Sequence, residues 1–405
     1  MRCGLLGEHL GHSWSPRIHQ FLGDYSYELF EVAPENLDNF LKAAPFYGVN
    51  VTIPYKKAVL PRCAELSPAA RAMGCVNTLL KRKDGTLLGD NTDVDGFRCL
   101  LSRNGGIRPG EKALVLGTGG ASGTVQTVLR SLGAKVIPIS RSGSDNYENY
   151  AQHQDAVLLI NATPVGMYPR NGEVLIDLKK LPKLRCVLDL VYNPLRTRLL
   201  LDAEDLQIPC ENGLSMLVAQ AEKAAELFTG APVSGDVFHE ILDHLNREMQ
   251  NIILIGMPGC GKTTVGQKLA QALDRPFYDA DAELEKHAGC TVPDYFSQYG
   301  EASFRGLETE VLKDLGKKNG CVIATGGGCV TREENRNLLR QNGLLVRLSR
   351  DLNRLASDGR PVTAAKGLQQ LFAEREPLYA GFADVTVDNN GSVSQTVKKI
   401  LEVLR

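Results

Sequence analysis

Twice in this chain an apolar run rich in β-branched residues opens through glycines into a helix-like stretch. The two segments are ALVLGTGGASGTVQTVLRSLG at 113–133 and NIILIGMPGCGKTTVGQKLAQALD at 251–274. Each has the pattern of a buried strand delivering its carboxyl end to a helix N-terminus, the opening βα unit of a parallel sheet. Two such openings in 405 residues predict at least two hydrophobic cores, because one core rarely serves a chain of this length. Shorter apolar runs continue each series: KVIPIS (135–140), AVLLINA (156–162) and CVLDLVY (186–192), then CVIATGGG (321–328), LLVRLS (344–349) and ADVTVD (383–388). Strands alternating with helical stretches predict doubly wound α/β architecture, twice over. Residues 1–100 precede the first glycine loop and are expected to form a layer of their own. The stretch 229–250, TGAPVSGDVFHEILDHLNREMQ, passes from turn residues through a polar amphipathic segment to an abrupt strand, and is expected to be the junction.

Charge and cysteine usage narrow the function classes. A formal net charge of -1, without blocks of like charge, argues against a nucleic-acid or membrane surface held by charge. A small anionic ligand gripped by a few local arginines remains compatible with it. Ten cysteines are scattered singly, with no CxxC pair and no zinc-site spacing, so reduced thiols are expected. The N-terminal MRCGLLGEHLGHSWSP meets a Glu and two His before an apolar signal core can build up, and no apolar run is long enough to span a bilayer. A cytoplasmic protein acting on small molecules is the expectation.

The first glycine loop, Gly117, Gly119, Gly120 and Ala121, would let backbone N–H groups approach a pyrophosphate at the helix N-terminus. The strict GxGxxG pattern fails, because Ser122 holds its last position, and a purely structural glycine turn is the competing reading. Where NAD sites place an acid at the end of the second strand, this chain has Ser140, Arg141 and Ser142. A cation flanked by hydroxyls suits the 2′-phosphate of NADP; a solvated arginine is the alternative. The second loop matches GxxxxGK[ST] at every required position, through Gly256, Gly259, Cys260, Gly261, Lys262, Thr263 and Thr264. Its amides would cradle the phosphates of ATP, Lys262 would neutralise β and γ oxygens, and the Thr263 hydroxyl would ligate Mg²⁺.

Ordered motifs name the chemistry. Gly11-His-Ser13-Trp-Ser15-Pro16, Asn50-Val-Thr52-Ile-Pro-Tyr-Lys56, Val76-Asn77-Thr78, Asp90-Asn-Thr-Asp93, Asn161-Ala-Thr-Pro-Val-Gly-Met167 and Gly213-Leu-Ser-Met-Leu-Val-Ala-Gln220 occur in that sequence. Together they resemble the shikimate dehydrogenase family over residues 1–245. The resemblance implies an α/β substrate domain at 1–100, completed by helices at 213–245, and a Rossmann NADP domain at 101–212. It implies Lys56 and Asp93 as the proton-transfer pair, and Ser13 and Ser15 as hydroxyl donors to a substrate carboxylate. Asn50, Thr52, Asn77, Tyr192 and Gln220 would meet ring hydroxyls or hold Lys56 in place. Asn161, Thr163, Met167 and Gly213 would join the NADP site. His12 would position its neighbours.

The remainder resembles shikimate kinase, through Tyr278-Asp279-Ala-Asp281, Phe304-Arg305-Gly-Leu-Glu308, Gly326-Gly327-Gly328, Gly359-Arg360-Pro361 and Arg375-Glu-Pro-Leu-Tyr379. This implies a P-loop, nucleoside-monophosphate-kinase-like α/β domain with a parallel sheet at 250–405. Asp281 would orient or deprotonate the substrate hydroxyl, and Asp279 would support Mg²⁺. Arg305 and Arg375 would clamp a carboxylate bidentately. Gly327 and Gly328 would bring backbone to the ring, and Arg360 would act from a lid; Arg350 and Arg354 are given no role. The two resemblances imply consecutive reactions on one metabolite: NADPH-dependent reduction of 3-dehydroshikimate, then Mg-ATP-dependent phosphorylation of the shikimate 3-hydroxyl. The rival expectations are a silent sensor of shikimate or quinate, and a quinate/shikimate dehydrogenase fused to another small-molecule kinase.

Overall fold

The first hundred residues build a mixed sheet rather than a doubly wound one. In the computed structural model, which describes residues 1–11, 13–233, 235–355 and 367–404, β1 (Arg2–Gly7) pairs in parallel with β2 (Ser26–Glu31) and β3 (Gly48–Val51). The direction then reverses through β5 (Thr78–Lys81) and β6 (Leu87–Asp90), and β4 (Glu65–Leu66) closes the far edge, giving the order β2-β1-β3-β5-β6-β4. β1 and β3 are buried almost throughout, as central strands covered on both faces must be. The carboxyl end of β3 leads on to Thr52 and Lys56, and the β6 end carries Asp90 to Asp93.

A second sheet follows with every pair parallel: β7 (Lys112–Leu116), β8 (Lys135–Ile139), β9 (Leu158–Asn161), β10 (Cys186–Asp189) and β11 (Cys210–Asn212), in the order β11-β10-β9-β7-β8. This is a doubly wound order whose switch point lies between β7 and β9, where ligands of such sheets bind. The helices Asp93–Arg103 and Leu214–Thr229 pack against each other, and the approach is close: a Cβ on Gly96 would lie 2.6 Å from the Met216 carbonyl oxygen. One helix carries Asp93 at its start; the other carries Gln220.

The third sheet is also fully parallel. β12 (Asn251–Ile255) is flanked by β14 (Val322–Ala324) and β15 (Gly343–Ser349), with β13 (Phe277–Asp279) and β16 (Val385–Asp388) outside, in the order β13-β14-β12-β15-β16. All five residues of β12 are buried, and its core includes Leu269, Leu312, Leu345, Leu371 and Ile400.

By compactness the chain forms two units. One holds Met1–Met167, Glu173–Tyr192 and Asp202–Leu245; the other holds Tyr168–Gly172, Asn193–Leu201 and Asn246–Arg405. The second unit thus takes in two short upstream segments besides the 250–405 expected from the sequence. Its buried Gln341 and Asn342 take hydrogen-bond partners from its two short upstream segments, Gln341 Nε2 donating to Asn171 O at 2.7 Å and Leu195 N donating to Asn342 Oδ1 at 2.8 Å. The stretch 229–250, expected as a linker, contains the helix Val237–Met249.

Candidate active sites

In the first unit, Lys56 and Asp93 meet. Lys56 Nζ donates to Asp93 Oδ2 at 2.6 Å, with the lysine side chain about a third exposed (32%). Burial alone would push the Lys56 ammonium down; the facing Asp93 charge and hydrogen bond outweigh it, and the pKa is raised above the ordinary 10.5. Asp93 Oδ1 accepts from Asn77 Nδ2 at 2.9 Å. Asn77 in turn accepts from the Thr92 amide at 2.8 Å and from the Thr78 hydroxyl at 3.0 Å. Asn50 Nδ2 donates to Thr78 Oγ1 at 3.2 Å. Thr92 links this network to Gln220 Oε1 at 3.5 Å. Lys56, Asp93, Asn50, Asn77 and Gln220 are thus gathered by one polar network, with Thr78 and Thr92 as links that sequence reasoning did not select.

Ser13 and Ser15 sit at the start of the helix Ser15–Leu22, where the Ser15 amide donates to Ser13 Oγ at 3.2 Å. A helix N-terminus with two hydroxyls is a natural seat for a carboxylate. Thr52 follows β3, half-buried, and Tyr192 lies just past β10, its phenol pKa raised by burial. His12 lies outside the described residues.

The glycine loop after β7 leaves space for a bulky ligand. Gly119 and Gly120 have nothing within 4 Å of where a Cβ would stand, and Gly120 begins the helix Gly120–Ser131. Gly117 has φ 98°, and a Cβ there would strike Thr163 Cγ2 at 2.7 Å. The Ser122 departure has a local cause: its buried hydroxyl donates to Gly117 O at 2.6 Å and ties the helix back to the loop. Asn161 is buried and commits its amide to the fold, donating to Asp189 Oδ1 at 2.9 Å and Val165 O at 3.1 Å and accepting from the Thr163 hydroxyl at 2.7 Å. Asn161 and Thr163 therefore shape the loop facing Gly117, and Asp189 is a partner that sequence reasoning missed. Gly213 is required by contact, since a Cβ would stand 2.2 Å from Leu190 O. Met167 is 44% exposed. Ser140, Arg141 and Ser142 follow β8 directly, with Arg141 and Ser142 exposed.

In the second unit, Gly259 and Gly261 both hold positive φ, 80° and 95°, before the helix Lys262–Leu273. Lys262 is buried and curls back, its Nζ donating to Gly256 O at 2.8 Å and Met257 O at 3.2 Å. Cys260 is fully buried, while Thr264 is exposed. The Thr263 hydroxyl donates to Asp279 Oδ2 at 2.6 Å, and Asp279 Oδ1 caps the next helix by accepting from the Asp281 amide at 3.0 Å. Asp281 is pushed up to about 6, first by burial and then by the neighbouring Asp279 and Glu308 charges, against the opposing pull of Lys262 and Arg305.

The glycine run after β14 draws these groups together. A Cβ on Gly326 would meet Glu308 Oε1 at 2.6 Å and Asp281 Oδ1 at 2.8 Å; on Gly327, Pro258 of the phosphate loop at 2.6 Å; on Gly328, the Arg305 guanidinium at 2.1 Å. Arg305 Nη1 donates to buried Glu308 Oε2 at 2.7 Å, and Arg375 Nη1 donates to Gly327 O at 2.9 Å. Both arginines are nearly buried. Arg350 lies beside Gly261, and Arg354 donates to Asn390 O at 2.5 Å. Arg360 lies outside the described residues. Among the described residues no helix is long and apolar enough to cross a membrane.

Comparisons with known proteins give the family of each part. The family model for the shikimate dehydrogenase substrate binding domain matches residues 5–79, and the shikimate kinase model matches residues 258–405. A shikimate dehydrogenase (NADP(+)) from Clostridium perfringens is 37% identical over 264 residues, covering 60% of this chain and 97% of that protein. A shikimate kinase from Thioalkalivibrio sulfidiphilus is 42% identical over 168 residues, covering 39% of this chain and 88% of that protein. The solved shikimate 5-dehydrogenase from Thermus thermophilus, in complex with NADP(H) and shikimate, superposes with a TM-score of 0.55 at 34% identity, covering 60% of this chain and 99% of that one. An ammonium–carboxylate pair above a mixed sheet, a parallel sheet with an open glycine loop, and a separate phosphate-loop site thus belong to two enzymes in one polypeptide: the chain is a member of the shikimate dehydrogenase family in its N-terminal part and of the shikimate kinase family in its C-terminal part.

Proposed function

We propose that the first unit reduces the keto group of 3-dehydroshikimate to give shikimate, and that the second phosphorylates the resulting 3-hydroxyl. The observation that carries this reading is the Lys56–Asp93 pair, 2.6 Å apart, on the same chain as the Asp281 and Arg305 grouping that suits a hydroxyl on a carboxylate-bearing ring.

For the reduction, NADPH supplies the hydride when bound. The loop suits its pyrophosphate, because Gly119 and Gly120 present backbone without obstruction, and Arg141 with its flanking serines suits a 2′-phosphate. The relatives, one named for NADP(+) and the other solved with NADP(H), favour the same cofactor. Lys56, held protonated by Asp93, is placed to give a proton to the carbonyl oxygen as it gains charge. Asp93 then carries the pair's remaining charge, fixed by Asn77. Ser13 and Ser15 would hold the carboxylate; Thr52, Tyr192 and Gln220 would bound the ring.

For the phosphorylation, Mg²⁺ when bound neutralises charge between the phosphates. The Thr263 hydroxyl and Asp279 carboxylate are oxygen donors of the kind that ion accepts alongside water and phosphate. Lys262 would leave its loop carbonyls for phosphate oxygens, which are stronger acceptors. Asp281 takes the proton of the attacking hydroxyl, and Arg305 with Arg375 grips the carboxylate. The test is spectrophotometric. The purified chain given 3-dehydroshikimate should oxidise NADPH, and given shikimate with Mg-ATP should release ADP; a chain that binds shikimate and does neither would be a sensor.

A further inference from the structure

We propose that Tyr27 is a positioning residue for the dehydrogenase substrate pocket, acting through the side-chain amide of Asn50. The inference rests on the reading of that pocket as a shikimate site. Tyr27 lies on β2, outside every motif that the sequence singled out. Its hydroxyl donates to Asn50 Oδ1 at 2.8 Å, and Asn50 is only 5% exposed.

The chain of hydrogen bonds that begins there runs in a single direction. Tyr27 gives to Asn50 Oδ1; Asn50 Nδ2 gives to Thr78 Oγ1 at 3.2 Å; Thr78 gives to Asn77 Oδ1 at 3.0 Å; Asn77 Nδ2 gives to Asp93 Oδ1 at 2.9 Å. An asparagine amide can turn over, exchanging its donor and acceptor ends, and only its partners decide which end faces which way. Asn77 is turned by its own partners, the Thr92 amide that donates to it and the Asp93 carboxylate that accepts from it; Asn50, between Tyr27 and Thr78, has its acceptor end held by Tyr27. Burial raises the Tyr27 pKa well above 10, so the phenol keeps the proton that it gives to Asn50 Oδ1.

The ring is held from behind. His19 stacks on it with centroids 3.9 Å apart and planes within 10°. His19 is 1% exposed, its Nδ1 is 2.6 Å from the Tyr25 hydroxyl, and Phe228 packs on its ring at 6.0 Å. Burial pushes the imidazole down to about 3, with a weaker opposing contact from Asn50, so this backing is neutral across the working range. Stacking fixes the ring, and the hydroxyl does the orienting, which separates the two contributions experimentally.

The test is Tyr27→Phe in the full chain, which keeps the stack and removes the donor. Expected are a roughly tenfold rise in KM for 3-dehydroshikimate, kcat within about threefold of the parent, unchanged KM for NADPH, and a melting temperature lowered by a few degrees at most. Asn50→Ala should produce a similar rise, and adding Tyr27→Phe to it should produce no further rise. Trp14, the sole tryptophan, adjoins Ser13 and Ser15, so its fluorescence reports shikimate binding in this unit without turnover. A Tyr27→Phe variant with parental KM and parental shikimate affinity overturns the proposal, as do Tyr27 and Asn50 effects that multiply. If the parent binds shikimate by Trp14 fluorescence but does not turn over, the catalytic reading fails while the affinity of Tyr27→Phe still decides this inference. If the parent does not bind shikimate, both fall.

Discussion

Lys56 Nζ and Asp93 Oδ2 lie 2.6 Å apart, and the other oxygen of the same carboxylate is taken by Asn77 at 2.9 Å. The carboxylate is thereby fixed in plane while the ammonium keeps donors for a ligand. That division of labour suits a proton donor whose charge must be present before hydride arrives.

Lys56→Ala should lower kcat/KM for 3-dehydroshikimate reduction by roughly 10²–10⁴-fold, the usual contribution of a positioned acid or base, and leave shikimate phosphorylation unchanged. The pH dependence follows from the direction of the shift. The donor form is lost only as pH rises through a pKa raised above 10.5, so the proton-donor limb of the reduction should stay flat further into alkali than an ordinary lysine allows. Steady-state kinetics in both assays checks this; loss of both activities would contradict separate sites.

Phosphorylation should be sensitive to acid. On the proposed reading Asp281 works as the carboxylate, and its pKa is raised from 3.8 to about 6, so the base form disappears on acidification much earlier than for a free aspartate. The kcat/KM for shikimate should fall tenfold per pH unit below about 6 and be level above it. Burial disfavours the charged form, so Asp281→Asn should remove activity and raise the melting temperature at pH 7, where the parent must keep that charge buried. Calorimetry of the variant checks the sign.

Gly328→Ala should damage the kinase alone. Its Cβ would stand 2.1–2.3 Å from the Arg305 guanidinium, forcing the proposed carboxylate clamp aside or costing roughly 1–3 kcal/mol of overpacking. KM for shikimate in the ADP-release assay should rise at least tenfold while NADPH-dependent reduction is untouched.

Gly117→Ala should damage cofactor binding alone. The residue has φ 98° and a Cβ would lie 2.7 Å from Thr163 Cγ2, so both backbone strain and the facing loop resist it, at roughly 1–3 kcal/mol. KM for NADPH should rise several-fold or more, with KM for ATP unchanged.

Much of the parallel architecture was legible because buried strands announce themselves as short apolar runs. CVLDLVY contains β10, LLVRLS lies within β15, and ADVTVD contains β16. The mixed sheet of the first hundred residues was not legible, because β4 has two residues and the order β3-β5-β6-β4 depends on turns rather than on periodicity. Motif residues such as Lys56, Asp93 and Asp281 could be named as candidates through the family resemblance of the motifs that hold them. Asp189 could not be given a task, since only the pairing of β9 with β10 brings it to Asn161; Ser122 and Glu308 act on sequence neighbours, Gly117 and Arg305, through local turns of the loop and helix. Tyr27 reaches Asn50 across 23 positions of sequence and two strands, a relation that no local pattern encodes.

The most direct test of two consecutive reactions on one chain uses NADPH deuterated at the nicotinamide C4, with 3-dehydroshikimate, ATP and Mg²⁺ in one vessel. Mass spectrometry and NMR would then locate label and phosphate in the product. The account predicts shikimate 3-phosphate with deuterium on the carbon that bears the phosphate. Labelled shikimate that is never phosphorylated, or phosphate on a different hydroxyl, would contradict it.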